Sequence, residues 1–242
     1  MLPRSRHLVA LLATLTAVAA LTAALTTVPS SAVAATTPRV GQCHRLTVAQ
    51  IMRPNDTARP VGCQRRHTTQ TVAVPSLPSL AGLSHDEMST LGMRACFHAV
   101  AKALGRTSVK RSLTAYGFVF FFPTAAEIAG GAHWVRCDVI LMHGRSMARL
   151  TGRLKRPIVP RHPTDEVRLC MTRGGAYTSC DRRHAFRAVK AVPVRGATFP
   201  SDDEFYAASG RCGRRADVFT TPLEAAWDSG DHNIVCFART TS

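Results

Sequence analysis

The apolar positions of this 242-residue chain form one long uninterrupted run and several short periodic ones. The long run is Leu8–Val28, 21 residues without a charge, preceded by Arg4, Arg6 and His7 and broken by Pro29-Ser30-Ser31. Ala32-Val33-Ala34 follows in the small-x-small pattern of a signal-peptidase site, so residues 1–34 read as a cleaved signal peptide. A run of 21 apolar residues can also span a bilayer, which makes an uncleaved N-terminal membrane anchor the alternative. Five threonines within the run and the A-V-A site favour cleavage. The first cysteine is Cys43, too far from the run for a lipoprotein, and no later stretch approaches 18 apolar residues.

The shorter patterns predict strands and helices in a fixed order. Val72 and Val74 alternate after "VGCQRRH", and Phe186, Val189 and Val192 recur less regularly after "CDRRH"; both read as strands entered from a cysteine-bearing turn. "LSHDEMSTLGMRACFHAVAKALG" predicts a helix with Ser84 as N-cap, Asp86 and Glu87 in its first turn, and Gly105 as its stop. Met88, Leu91, Ala95 and Ala99 would form its apolar face, with Cys96 beside it. "FPSDDEFYAASGRCG" predicts a second helix, opened by a Ser201–Glu204 capping box and reaching Cys212 near its end. "YGFVFFF" and the shorter "DVFT" read as strands, as do the closing segments "HWVRCDVILM" and "HNIVCFA".

These elements occur twice. C-x-R-R-H stands at Cys63–His67 and again at Cys180–His184, 117 residues on. Cys63 to Cys96 is 33 residues, and Cys180 to Cys212 is 32. Pro123 to Cys137 and Pro222 to Cys236 are both 14 steps, with Gly131 and Gly230, then His133 and His232, at matched places. Such self-similarity predicts an internal duplication. The expected fold class is α+β: two tandem small disulfide-stapled modules, each with one main helix packed on an antiparallel sheet. Module one is expected over 40–142 and module two over 165–242, joined by a basic, proline-containing linker at 143–164. At 78 residues the second module is small for an unaided core, and small exported domains commonly add disulfides.

The eight cysteines, Cys43, Cys63, Cys96, Cys137, Cys170, Cys180, Cys212 and Cys236, all follow the signal segment. An even number in an exported chain implies disulfides. Four per module allow three pairings each. Neighbours flanking the first strands can pair locally, giving Cys43–Cys63 and Cys170–Cys180. That leaves Cys96–Cys137 and Cys212–Cys236 to join helix to closing strand.

The same landmarks resemble the septum-formation domain of envelope proteins in high-GC Gram-positive bacteria. The matching stretches are "VGQC" at 40–43, "VGCQRRH" at 61–67, "FPTAAEIAGGAHWVRC" at 122–137 and "LTGRLKR" at 150–156. Module two matches in "CDRRH" and "TPLEAAWDSGDHNIVC". Ile128 stands where that family tends to have Trp, and Trp227 fits. The resemblance implies a link to division or the envelope and brings no enzyme activity with it.

Candidate chemistry is sparse. Cys63, His67, His133 and Cys137 offer zinc ligand types, repeated by Cys180, His184, His232 and Cys236. Positions four apart on a strand lie about 13 Å apart, and exported cysteines are usually oxidised. The expectation is therefore no metal and no cofactor, with each histidine bonded locally beside a disulfide. No G-x-S-x-G, H-E-x-x-H, C-x-x-C or phosphate-binding glycine loop occurs. A cysteine–histidine nucleophile needs a free thiol, and an even set of cysteines leaves none spare; Asp181 and His184 could be placed in a triad with some serine, but any chain of this length allows that. The chain is read as a non-enzyme; an uncharacterised exported hydrolase or metal-binding protein is the alternative.

Charge changes the picture further. The formal net charge is +16, of which Arg4 and Arg6 lie in the signal segment. Residues 39–142 carry +7, 143–161 carry +6 and 165–242 only +1. Arg outnumbers Lys 27 to 4, as a GC-rich genome favours, but codon bias does not empty 143–161 of acids. Arg145, Arg149, Arg153, Lys155, Arg156 and Arg161 are the candidate polyanion-binding residues. As a helix, 143–156 would align Arg145, Arg149, Arg153 and Arg156 on one face; as an extended segment with Pro157 and Pro160 it would stay open and solvated. Outside the cell the available polyanions are wall teichoic polymers, anionic lipid head groups and DNA. Few aromatics accompany the charge, so sequence-specific nucleic-acid reading is not expected. The expected function is a non-catalytic secreted or cell-envelope protein that binds an envelope component or a protein partner.

Overall fold

The computed structural model describes residues 37–150 and 152–240. The expected signal peptide, its cleavage site and the alternative anchor lie outside them. Among the described residues no helix is long and apolar enough to cross a membrane.

The first half contains β1 (Cys43–His44), α1 (Val48–Ile51), β2 (Thr69–Ala73), α2 (His85–Leu104), α3 (Ser108–Ser112), β3 (Tyr116–Phe121), α4 (Ala125–Ala129), β4 (Arg136–His143) and β5 (Ser146–Met147). The second half contains β6 (Leu169–Met171), β7 (Tyr177–Ser179), β8 (Phe186–Pro193), α5 (Asp202–Ser209), β9 (Val218–Thr220), α6 (Glu224–Trp227) and β10 (Asn233–Arg239). The fold is α+β, with the ten strands of the described residues in one antiparallel sheet ordered β1-β2-β4-β7-β6-β8-β10-β9; β3 and β5 also pair with β4.

Helix boundaries follow local chemistry. Ser84 and Glu87 close a capping box on α2, as Ser201 and Glu204 do on α5 and Thr124 and Glu127 on α4. The cap hydrogen bonds hold the Glu87 and Glu204 carboxyls below the usual carboxylate range. The buried stripe of α2 is Gly92, Cys96, Val100 and Ala103, displaced by about one position from the expected Met88–Leu91–Ala95–Ala99 face. Gly92 explains the displacement. A Cβ there would stand 2.6 Å from Phe122 Cζ and 2.7 Å from the Phe120 ring, so the bare backbone is what seats the helix on those rings.

Four disulfides join Cys43 to Cys63, Cys96 to Cys137, Cys170 to Cys180 and Cys212 to Cys236, the pairs expected from the cysteine order. Two of them tie a helical segment to a closing strand: α2 to β4, and the turn after α5 to β10.

Strand registers recur between the halves. β2 meets β4 with Thr71 opposite Asp138 and Ala73 opposite Cys137, leaving Val72 as a bulge. β8 meets β10 with Ala188 opposite Phe237 and Lys190 opposite Cys236, leaving Val189 as the bulge. That extra residue explains the irregular apolar spacing of β8, because it turns Val189 outward to 42 % exposure.

The halves are not separate bodies. The described residues form one compact unit. His143 at the end of β4 pairs with Thr178 of β7, Thr114 bridges Arg168, and Asn233 Nδ2 donates to Ser112 Oγ. One core lies under α2 around Val72, Val100, Cys137 and Val139, and another under α5 around Phe205, Trp227 and Ile234. A third joins them, built from Ala115, Leu141 and Leu150 of one half and Leu169, Ala188 and Phe237 of the other.

Nor is 143–161 an open tether. It forms β5 and then an extended strap across the first half, not the helix that was one option. Leu150 pairs with His67 through both backbone bonds, and the Leu154 N–H donates to Gln70 Oε1. The Arg156 guanidinium donates to Val72 O, and Ile158 and Val159 are buried against the end of α2.

Candidate functional site

The strap sorts its residues by alternation. Ala148 and Leu150 turn inward and Leu154 is half-buried, while Arg149, Arg153 and Lys155 are exposed between them. Arg145, Arg156 and Arg161 are exposed as well. Among the described residues, none of these six cations makes an ion pair. Among the described residues five of them have no side-chain hydrogen bond, and Arg156 is anchored on Val72 O.

Arg149 leads from the strap into an open cleft of roughly 920 Å³ where the two halves meet. Its apolar floor includes Leu141, Ala148, Leu150 and Val167; its polar wall is His143, Glu166, Asp181, Arg182 and Arg183. Burial and then the Arg182 charge hold His143 below the ordinary histidine range, with Asp181 opposing them. His143 Nε2 lies 4.0 Å from Asp181 Oδ1, and Ser179 Oγ donates to that same oxygen. The serine hydroxyl is thus committed to a carboxylate and not to an imidazole, which is not how a base activates a nucleophile. His184 is elsewhere: its Nδ1 lies 2.6 Å from Arg182 O, and a carbonyl can only accept, so Nδ1 carries the proton. Asp181 and His184 are therefore not joined with a serine in a triad among the described residues.

His67 repeats that contact, with Nδ1 2.9 Å from Arg65 O, and it is fully buried under the strap at Leu150. In both copies of C-x-R-R-H the histidine therefore closes its own turn. Cys63 and Cys137 are spent in different disulfides, as are Cys180 and Cys236, so neither two-cysteine, two-histidine set has thiolates to offer. Among the described residues no group of three or more His, Cys, Asp or Glu side chains converges as metal ligands. His133 Nδ1 faces Gly131 O, while His232 stacks on Trp227 at 4.0 Å between ring centroids.

A second concentration of charge is closed to solvent. Arg136 Nη2 sits 2.7 Å from Asp56 Oδ2 and 3.1 Å from Asp138 Oδ2. Asp138 also accepts from Thr69 Oγ1 and Thr71 Oγ1 at 2.8 and 2.7 Å. The Arg136 guanidinium lies over the Phe121 ring at 4.4 Å. His44, 3.6 Å from Asp56, is held below the ordinary histidine range by burial first and by Arg136 second. All of these side chains are at most 4 % exposed, so the network fastens the 52–60 loop to the sheet and offers nothing to a ligand.

Sequence reasoning had therefore picked out the strap but not the cleft that continues it. The linker expected over 143–164 has His143 at its edge, and nothing in the sequence sets Arg182 and Arg183 beside it. No linear signal could have joined them, since the pairing that brings β4 to β7 is His143 with Thr178, 35 positions apart in the chain.

A family model described as "Septum formation" matches residues 41–236 of this chain. No curated protein and no solved structure matches it.

Proposed function

The chain belongs to the septum-formation family, and on that premise we propose that it is a non-catalytic exported protein of the cell envelope which grips anionic polymers by charge. The family points to a division- or envelope-related role, and four disulfides accord with an extracellular or envelope location. The observation carrying the proposal is the strap: six exposed cations over 17 positions, no carboxylate pairing with any of them among the described residues, and a packed inner side that holds them in place. A row of cations whose backbone is already held attracts a flexible polyanion without that backbone having to be ordered on binding. The cleft holding Arg149, Arg182 and Arg183 extends the row onto the second half.

The same reading takes the two halves as copies of one unit. It is supported by the 117-residue offset that relates C-x-R-R-H, the β2 and β8 registers and their bulges. The single sheet would then have arisen when two small units merged their edges.

Localisation of the tagged protein in dividing cells tests the function. The full chain should collect at the envelope, and removal of residues 1–34 should leave it inside the cell. A variant with Arg145, Arg149, Arg153, Lys155 and Arg161 changed to Gln should be exported but released. Retention of that variant at the level of the unaltered chain would overturn the proposal.

A further inference from the structure

The strap that buries His67 has no counterpart over His184 among the described residues, and a hollow of roughly 570 Å³ opens there, sharing Thr172 and Arg183 with the cleft. Its walls are Arg173 from the β6–β7 turn, Arg183 and His184 from the second C-x-R-R-H, and Arg239 from the end of β10. Thr172 and Thr240 add hydroxyls, and Ala185 and Phe186 complete the lining. No lining residue is acidic.

Three guanidinium groups around one hollow repel one another, so their surroundings decide the reading. Among the described residues, none of the three makes an ion pair. Arg239 lies 5.9 Å over the Phe186 ring, a contact that leaves its N–H groups open. The nearby acids are committed elsewhere: Asp165 to Arg168 and Arg187, Asp181 to Arg182 and Ser179, and Asp217 to the backbone N–H of Arg239. Thr240 Oγ1 is buried with no hydrogen-bond partner. His184 Nδ1 is fixed on Arg182 O, which sets the ring.

We propose that this hollow is a phosphoryl-binding subsite. A carboxylate has two oxygens and can fill one guanidinium fork, or two at most. A phosphoryl group presents its oxygens in a tetrahedron, four terminal ones in free phosphate and two charged ones beside two ester oxygens in a diester, so it meets forks converging from more directions than a planar carboxylate can. The site deepens the function proposed above, because it names phosphate as the charged group of the polymer, and it rests on that reading for its role in the cell. The phosphoryl group could come from a phosphodiester polymer or from free phosphate; the chemistry of the hollow is common to both.

The test uses the exported chain, labelled with ¹⁵N and titrated with inorganic phosphate at low salt. Amide resonances of Arg183, His184, Ala185 and Thr240 should shift together and saturate. R173Q/R183Q should weaken phosphate binding by about tenfold or more, as loss of charge-assisted hydrogen bonds predicts. R214Q/R215Q removes the same charge from exposed positions outside the hollow and should change the affinity less than twofold. Both variants alter exposed side chains, and thermal melts check that both fold. Shifts scattered over the surface, or equal losses in the two variants, would overturn the subsite whatever the polymer does. A poly(glycerol phosphate) chain then identifies the source: shifts at the same amides assign the hollow to the polymer, and shifts with phosphate alone assign it to the free ion. If phosphate fills the hollow while the strap variant binds polymer as tightly as the unaltered chain, the subsite stands and the function proposed for the strap falls.

Discussion

Arg136→Met would remove the one cation that Asp56 and Asp138 share. Both contacts run through Nη2, at 2.7 and 3.1 Å, and none of the three side chains exceeds 4 % exposure. The two carboxylates would stay behind, one of them with only the hydroxyls of Thr69 and Thr71. Deleting one partner of a buried ion pair costs about 3–5 kcal/mol, because the charge left behind has no water and no counterion. A domain of this size holds about 5–15 kcal/mol in all, so the loss would be a large fraction of its stability. At about 2–4 °C per kcal/mol, the melting temperature should fall by about 6–20 °C. The fold itself does not demand these charges. At the matching register positions β10 carries Val235 and Phe237, both buried in apolar surroundings. Thermal and urea unfolding followed by circular dichroism at pH 7 would measure the loss. A loss below about 1 kcal/mol would show that the network does not carry the energy assigned to it.

The disulfides should rank by the loops they close. Cys96–Cys137 spans 41 residues and Cys170–Cys180 spans 10, which the chain-entropy relation converts to about 3.9 and about 2.7 kcal/mol; double alanine variants compared by urea unfolding should keep that order, and the reverse order would count against the entropic account. Gly92→Ala should destabilise even though alanine favours helix, because about 1–3 kcal/mol of overpacking against Phe120 and Phe122 exceeds the roughly 1 kcal/mol gained in propensity; a more stable variant would mean that those rings yield freely. Stability should decline as pH falls through about 6.5, since His44 and His143 have folded-state values below the ordinary one and the unfolded chain binds their protons first. Each can steepen the decline by up to about 1.4 kcal/mol per pH unit, so His143→Gln should flatten the change in melting temperature between pH 7 and 5, and an unchanged slope would contradict that.

What could be read from the sequence was what local chemistry dictates. Ser84 with Glu87 and Ser201 with Glu204 announce helix starts because a hydroxyl and a carboxylate three residues apart satisfy each other's backbone donors. The cysteine order constrained pairing because strand neighbours flank short loops. The buried face of α2 was misjudged by about one position because Gly92 has no side chain to mark it, although its packing on Phe120 and Phe122 decides where the helix sits. The strap was legible as charge and not as structure. Counting only the basic residues suggested a helical stripe, whereas Ala148, Leu150 and Leu154 between Arg149, Arg153 and Lys155 already carried the period of two. Two further features depend on contacts far apart in sequence and left no linear mark. One is the bond from Arg136 to Asp56, 80 residues away. The other is the meeting of Arg149 with Arg182 and Arg183 across the join between the halves.

The central claim is that a packed, uncompensated strap holds an anionic polymer by charge, and a salt titration tests it most directly. Binding of the exported chain to poly(glycerol phosphate) should be measured by fluorescence anisotropy from about 10 to about 150 mM salt, over which the screening length shrinks from about 30 to about 8 Å. The account predicts that affinity falls steeply over that range. It also predicts that changing Arg145, Arg149, Arg153, Lys155 and Arg161 to Gln removes most of the salt dependence while leaving the melting temperature unchanged. Binding that ignores salt, or that survives those five substitutions intact, would contradict it.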